Sequence, residues 1–264
     1  MAGPGSDEYP LPQNESDIRF DMDAATLCHS IDQSLYAVSY DALRPVMTGI
    51  SYTFADGKVE CAASDGHKLV RNTYPLAGNA GDCRFILSAK AAKIVKLLLQ
   101  KKEGHVEVEY NERNIVFKTD MDSFSTRLIE GAYPNCNAIV PTNIDKEATI
   151  DRPTLLSAIR RVGIFAERTS RQLVLSFSGM ALLLTGHDFD NATSAEETVF
   201  CTYQGDEIRI AVHAENLKMV LENMDAAEVR FRMSEACRAA IIEPVSGDGQ
   251  SEHLALLMPM MLPE

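Results

Sequence analysis

Nowhere does this chain contain the roughly 20 consecutive apolar residues that a helix needs to cross a bilayer. Its N-terminus has no basic segment leading into an apolar core, so it does not read as a secretory signal and a cytosolic protein is expected. The six cysteines (Cys28, Cys61, Cys83, Cys136, Cys201 and Cys237) form no Cys-x-x-Cys pair, and sequence neighbours lie more than twenty residues apart. Zinc ribbons and dithiol redox sites need closely spaced thiols, so the expectation is reduced, structural cysteines. The patterns Gly-x-Ser-x-Gly, His-Glu-x-x-His and the P-loop are absent. Basic residues are also scarce, with 25 Lys and Arg against 38 Asp and Glu, a formal net charge of −13. That balance counts against bulk affinity for nucleic acid. Counterion release rewards local clusters, however, so the placement of the basic residues decides.

What is present is an ordinary globular composition, 45% hydrophobic and 24% charged over 264 residues, a length that suits two domains. Met1 to Ser6 reads Met-Ala-Gly-Pro-Gly-Ser and resembles an expression-vector scar, and residues 7–16 are polar with prolines. The expected division is therefore a scar and linker over 1–16, one domain over 17–145 and a second over 146–264.

Along both domains an amphipathic helix is followed by alternating strands, and the unit recurs. Helices are predicted over 23–38, 88–102, 153–166 and 214–224. Strands are predicted over 48–54, 58–63, 68–72, 83–87, 105–110, 114–118 and 123–129. In the second half they fall at 172–178, 181–186, 196–203, 207–213, 228–233, 238–243 and 253–260. Ser88 and Asp151 are expected N-caps, and Pro153 fits a first helical turn, where its missing N–H costs nothing. Leu155, Ala158, Ile159 and Val162 keep a 3.6-residue period, as do Leu217, Val220, Leu221 and Met224. Thr26-Leu27 matches Thr154-Leu155 at an offset of 128 (155 − 27), and Ile94, Leu97 and Leu98 match Leu217, Val220 and Leu221 at 123 (217 − 94). Four such units in two domains imply a duplicated α+β architecture, with helices on one layer and antiparallel strands on the other.

On the 88–102 helix, Ala91, Ile94, Val95 and Leu98 point one way, and Lys90, Lys93, Lys96 and Gln100 lie on or near the other side. Arg160 and Arg161 flank the outer face of the third helix. The first helix is expected to expose His29, Asp32, Gln33 and Tyr36, and the fourth Glu215, Lys218 and Glu222. Two basic outer faces suit weak, sequence-blind phosphate contact better than base reading. They are equally what a solvated helix face looks like.

A catalytic reading starts from His187-Asp188-Phe189-Asp190, followed by Glu196-Glu197. Alternating carboxylates with a histidine suit a metal-dependent hydrolase that activates water, with His187, Asp188 and Asp190 as ligands. A polar strand end and loop has the same composition. His67 beside Asp65 resembles half a dyad, with no nucleophile positioned by sequence. A generic interaction module is the remaining alternative.

Three segments decide among these. Ala63-Ser64-Asp65-Gly66-His67-Lys68-Leu69 is similar to the Ala-Thr-Asp-Gly-His-Arg-Leu segment of the bacterial DNA polymerase III beta subunit family, the sliding clamps. Leu128-Ile129-Glu130-Gly131-Ala132-Tyr133-Pro134 resembles that family's Leu-x-Asp/Glu-Gly-x-Phe/Tyr-Pro turn. Leu256-Leu257-Met258-Pro259-Met260-Met261-Leu262 resembles its closing Val-Val-Met-Pro-Met-Arg-Leu, with Met261 in place of the arginine and Pro263-Glu264 beyond it. The resemblance covers residues 17–262 and implies two tandem DNA-clamp domains, the middle and C-terminal ones. Asp7-Glu8-Tyr9-Pro10 looks like the end of a first domain, so that domain is expected to be absent. Because the family's homodimeric ring joins first to third domains, this chain is not expected to close it.

The resemblance further implies a processivity factor without active site, cofactor or metal. Such a factor encircles duplex DNA and binds polymerase subunits, clamp loader and repair proteins through linear motifs ending in Leu and Phe. By motif match the pocket would comprise Met47, Ser64, Gly66, His67, Lys68, Leu69, Pro134, Ile139, Leu256, Met258, Pro259 and Met260. Methionines can remould around different partners, prolines stiffen the walls, and His67 and Lys68 would supply a polar rim. Arg44, Lys90, Lys93, Arg160 and Arg161 are the candidate DNA-facing residues.

Overall fold

The computed structural model describes residues 18–76, 81–100, 102–245 and 251–262. The leader expected over 1–16, Asp7–Pro10 included, lies outside the described residues, as do Pro263 and Glu264.

Two aspartates open equivalent helices. Asp23 accepts the N–H of Thr26 (2.8 Å) at the start of α1 (Ala24–Leu35), and Asp151 accepts that of Thr154 (2.9 Å) at the start of α3 (Arg152–Val162). Each satisfies a helix-terminal donor and contributes about 1 kcal/mol. The predicted offset of 128 therefore holds at the caps (151 − 23). Ser88 caps α2 (Ala89–Leu99) through Ala91 N–H (3.2 Å), while α4 (Ala214–Glu222) follows His213 without a side-chain cap.

The second offset is corrected. With Ser88 and His213 both in the N-cap position it is 125 (213 − 88), so Ala92, Val95 and Leu99 correspond to Leu217, Val220 and Met224. All six are buried, whereas Leu97 is exposed and Ile94 and Leu98 are half-buried. The stripe of α2 is rotated by one position because small Ala91 and Ala92 pack inward, a signal that apolar size alone hides.

The strands of the first half are β1 (Ile18–Asp23), β2 (Gly49–Ala55), β3 (Lys58–Ser64), β4 (Lys68–Pro75), β5 (Cys83–Ser88), β6 (His105–Tyr110), β7 (Asn114–Lys118) and β8 (Ser123–Arg127). Those of the second are β9 (Lys146–Asp151), β10 (Gln172–Ser178), β11 (Ala181–Asp188), β12 (Thr193–Gln204), β13 (Ile208–His213), β14 (Glu228–Met233), β15 (Ala240–Pro244) and β16 (Glu252–Leu257). Strands β1 and β9 were not anticipated. Each is a short alternating segment that runs straight into a helix cap, with Phe20 and Met22 or Ala148 and Ile150 facing inward.

All pairings are antiparallel. One sheet has the order β1-β6-β7-β8, and a continuous twelve-stranded sheet runs β13-β10-β11-β12-β9-β14-β15-β16-β4-β3-β2-β5. Its pairing of β4 with β16 joins the halves. One core surrounds α1 and α2 and a second surrounds α3 and α4, so each half is a pair of helices packed against antiparallel sheets.

The outer face of α1 is less exposed than its pattern suggests. Gln33 is buried, and Tyr36 packs against both cores. Gln33 Nε2 donates to Asp225 Oδ2 (3.4 Å), a residue beyond α4, so the second half covers that end of the helix.

Candidate functional site

Side chains alternate across the β4–β16 ladder, so its two faces meet different surroundings. Val70, Ala255 and Leu257 enter the helix-side cores. Leu69, Leu254 and Leu256 join Ala62, Cys136, Ala239 and Ile241 in a smaller apolar cluster on the other face. Over that cluster opens a cleft of about 990 Å³.

Its walls come from four places. Met47 arrives on the 3-10 turn Pro45–Thr48, and Ser64, Gly66 and Leu69 on the β3–β4 turn. Residues 133–143 form the linker wall, and Ser234, Glu235, Cys237, Arg238 and Ala239 the loop between β14 and β15. Met258, 42% exposed, follows the last strand, and its N–H donates to His67 O (2.9 Å).

The β3–β4 turn is built by its own side chains. Asp65 Oδ1 accepts the N–H groups of His67 (2.8 Å) and Lys68 (2.9 Å), and Lys68 Nζ donates to Asp65 Oδ2 (2.5 Å) and Asn216 Oδ1 (3.3 Å). Burial works against the Asp65 carboxylate, but these hydrogen bonds outweigh it and hold the group below the usual carboxylate range. Gly66 has φ of +91°, a region that favours glycine. Ser64 N–H donates to Tyr133 Oη (2.8 Å), and the Arg71 guanidinium donates to Asn137 Oδ1, so the linker wall is pinned to the sheet. Gly131, at φ +125°, leaves room for Val46, whose Cγ1 would lie 2.8 Å from a Cβ there. Burial raises the Cys136 thiol to about 11, so it stands in the floor as a neutral apolar group.

Seven of the twelve anticipated pocket residues line this cleft: Met47, Ser64, Gly66, Leu69, Pro134, Ile139 and Met258. Leu256 lies in the cluster beneath. His67, Pro259 and Met260 are outside the lining, and Met260 N–H donates instead to Ala211 O (2.7 Å). Lys68 does not form a rim. It is 5% exposed, because Asp65 and Asn216 engage its ammonium at the turn. Sequence reasoning missed most of the linker wall and the 234–239 loop. Beyond Pro134 and Ile139 the linker's run of Asn, Pro and Thr carries no motif, and nothing local in the loop marks it.

The expected DNA-facing residues also separate. Lys90 and Lys93 are exposed on α2 without an ion pair among the described residues. Arg160 is tied to Glu222 (2.8 Å) and Arg161 bidentately to Glu197 (3.0 and 2.5 Å). Arg44 is not on a helix face at all. Its Nη1 lies 3.3 Å from where a Cβ of Gly66 would be, beside the cleft.

The hydrolase alternative is corrected by local geometry. Asp188 is a turn residue whose carboxylate accepts Asn191 N–H (3.0 Å) and Nδ2 (2.8 Å), and His187 stacks on Phe189. Among the described residues no three His, Cys, Asp or Glu side chains converge on a metal position. Nor does any helix among them have the length and apolarity to cross a membrane.

Comparison with known proteins gives two family matches. Residues 21–135 match the DNA polymerase III beta subunit central domain, and residues 137–261 its C-terminal domain. The beta sliding clamp of Staphylococcus aureus is 24% identical over 262 residues, covering 98% of this chain and 69% of that protein. Among solved structures, the Pseudomonas aeruginosa DNA polymerase sliding clamp superposes with a TM-score of 0.92 at 23% identity, covering 98% of this chain and 70% of that one. The Bartonella birtlesii sliding clamp gives 0.89 at 26% identity, covering 96% and 68%.

Proposed function

This chain belongs to the DNA polymerase III beta subunit family, spanning its central and C-terminal domains, and from that premise we propose that its cleft docks short linear motifs ending in Leu and Phe. The family is one of sliding clamps, non-catalytic subunits that confer processivity. DNA polymerase, clamp loader and repair proteins are the partners such motifs would bring.

The observation that carries the reading is the cleft itself. It has an apolar floor of Leu69, Cys136 and Ala239 backed by Leu254 and Leu256, adjustable walls at Met47 and Met258, and a stiff one at Pro134. Each inserted Leu or Phe contributes about 1.5–3 kcal/mol. After association and ordering costs a short peptide settles near the micromolar range, about −8 kcal/mol. That affinity suits partners that must exchange.

In the intact ring the helices line a hole for duplex DNA, held by phosphate contacts without base reading. Lys90 and Lys93 carry that role here more than Arg160 and Arg161, whose charges are already engaged by carboxylates. Titrating a labelled Gln-Leu-x-Leu-Phe peptide with the protein tests the docking reading. Saturable micromolar binding, lost when the peptide's Leu and Phe become Ala, supports it. Absence of binding by folded protein removes it.

A further inference from the structure

The lining of the cleft is neutral except at two described residues, Glu235 and Arg238. They occupy one tight turn, in which Arg238 N–H donates to Glu235 O (3.0 Å). The Glu235 carboxylate accepts the Cys237 thiol (3.7 Å). The Arg238 guanidinium is exposed and has no ion pair or side-chain hydrogen bond among the described residues. Neighbouring cations are spent differently. Lys68 is held by Asp65, and Arg71 by Asn137 and Glu60. Arg44, standing beside Gly66, is paired with Asp41 (3.4 Å).

An unpaired arginine facing a docking cleft is notable in a chain of formal charge −13, where carboxylates to engage it are plentiful. A guanidinium offers five N–H donors in a planar fork, a shape that matches a carboxylate bidentately. Solvent competes for an exposed guanidinium, so the gain is modest. Its place in the lining of a cleft with an apolar floor makes it a device of choice between ligands more than of affinity.

We propose that Arg238 is a specificity-determining residue, selecting among peptides that fit the cleft those carrying a carboxylate next to their apolar anchors. The inference rests on the docking reading and names the chemistry of the preferred partner. The carboxylate has two possible sources, an acidic side chain within the motif or the free C-terminus of a partner whose chain ends in Leu-Phe.

Four labelled peptides separate these sources: Gln-Leu-Asp-Leu-Phe and Gln-Leu-Asn-Leu-Phe, each as free acid and as C-terminal amide. Against the full chain at low salt, at least one carboxylate should tighten binding about threefold to fivefold, the scale of an exposed ion pair. The preference should shrink below about twofold in 0.5 M salt. Arg238→Gln should bind all four with the affinity of the neutral peptide, Arg238→Lys should keep part of the preference, and Arg238→Glu should reverse it. Because the residue is exposed, thermal unfolding of the variants should match that of the parent chain. Equal affinity of all four peptides for the parent chain would overturn the proposal, and so would a preference that survives in Arg238→Gln. In both cases the neutral peptide still binds and the docking reading stands. If the neutral peptide fails to bind folded protein, the docking reading falls and takes this inference with it.

Discussion

Asn72 and His253 face each other across the antiparallel ladder that joins the two halves, and each leaves one buried polar atom, Asn72 Oδ1 and His253 Nε2, without a partner among the described residues. Asn72 Nδ2 is occupied by Gln33 O (3.3 Å) and Ser34 Oγ (3.2 Å) at the end of α1. The pair thus lies on the helix side of the ladder whose other side is the cleft floor.

Burial, reinforced by His29 and opposed by Asp225, pushes His253 down to about 4 from its ordinary 6.5. The unfolded chain takes up this proton first as pH falls, so stability should be level above about pH 6.5 and decline between 6.5 and 4. The loss from this one group is at most about 3 kcal/mol. Urea unfolding at pH 7 and pH 4.5 measures it, and His253→Leu should shrink the difference between the two pH values. An identical pH dependence in the variant would show that other groups carry it.

Lys68 and Asp65 form a largely buried pair, so removing one partner should cost more than removing both. Lys68→Met is expected to lower stability by about 3 kcal/mol, with Asp65→Asn in the same chain recovering part of that loss. A double-mutant cycle by chemical denaturation gives the coupling. Additive effects would mean that the two backbone N–H groups suffice to hold the Asp65 carboxylate.

Gly131→Ala should destabilise by about 1–3 kcal/mol, because it forces a side chain into a positive φ and against Val46. Val46 adjoins Met47 in the cleft wall, so peptide affinity should fall as well. Thermal unfolding and anisotropy on the same sample read both effects. Affinity unchanged in a destabilised variant would separate this turn from the cleft.

Much of this was legible from the residues. Ser88 and Asp151 announce their helices because a capping side chain acts locally, and the stripe Leu155, Ala158, Ile159 and Val162 is all buried. The cleft was legible where a motif crosses it, at Ser64, Gly66 and Leu69, at Pro134, and at Met258. It was not legible at the linker, which is pinned by contacts such as that of Tyr133 with Ser64, 69 positions apart, or at Arg238, whose loop reaches the site through the β4–β16 pairing, a contact between residues 187 positions apart (256 − 69 for Leu256 and Leu69). Lys68 misled for a related reason. Its partner Asn216 sits on α4, and no local pattern reports that contact.

The most direct test of the account is peptide binding by Met258→Asp. Met258 stands in the cleft wall after the last strand, so a carboxylate there meets an inserted Leu or Phe without disturbing either core. Fluorescence anisotropy with the Gln-Leu-x-Leu-Phe peptide should show micromolar binding by the parent chain and at least about tenfold weaker binding by the variant, the equivalent of 1.4 kcal/mol. Equal affinity in a folded variant would contradict the assignment of this cleft as the docking site.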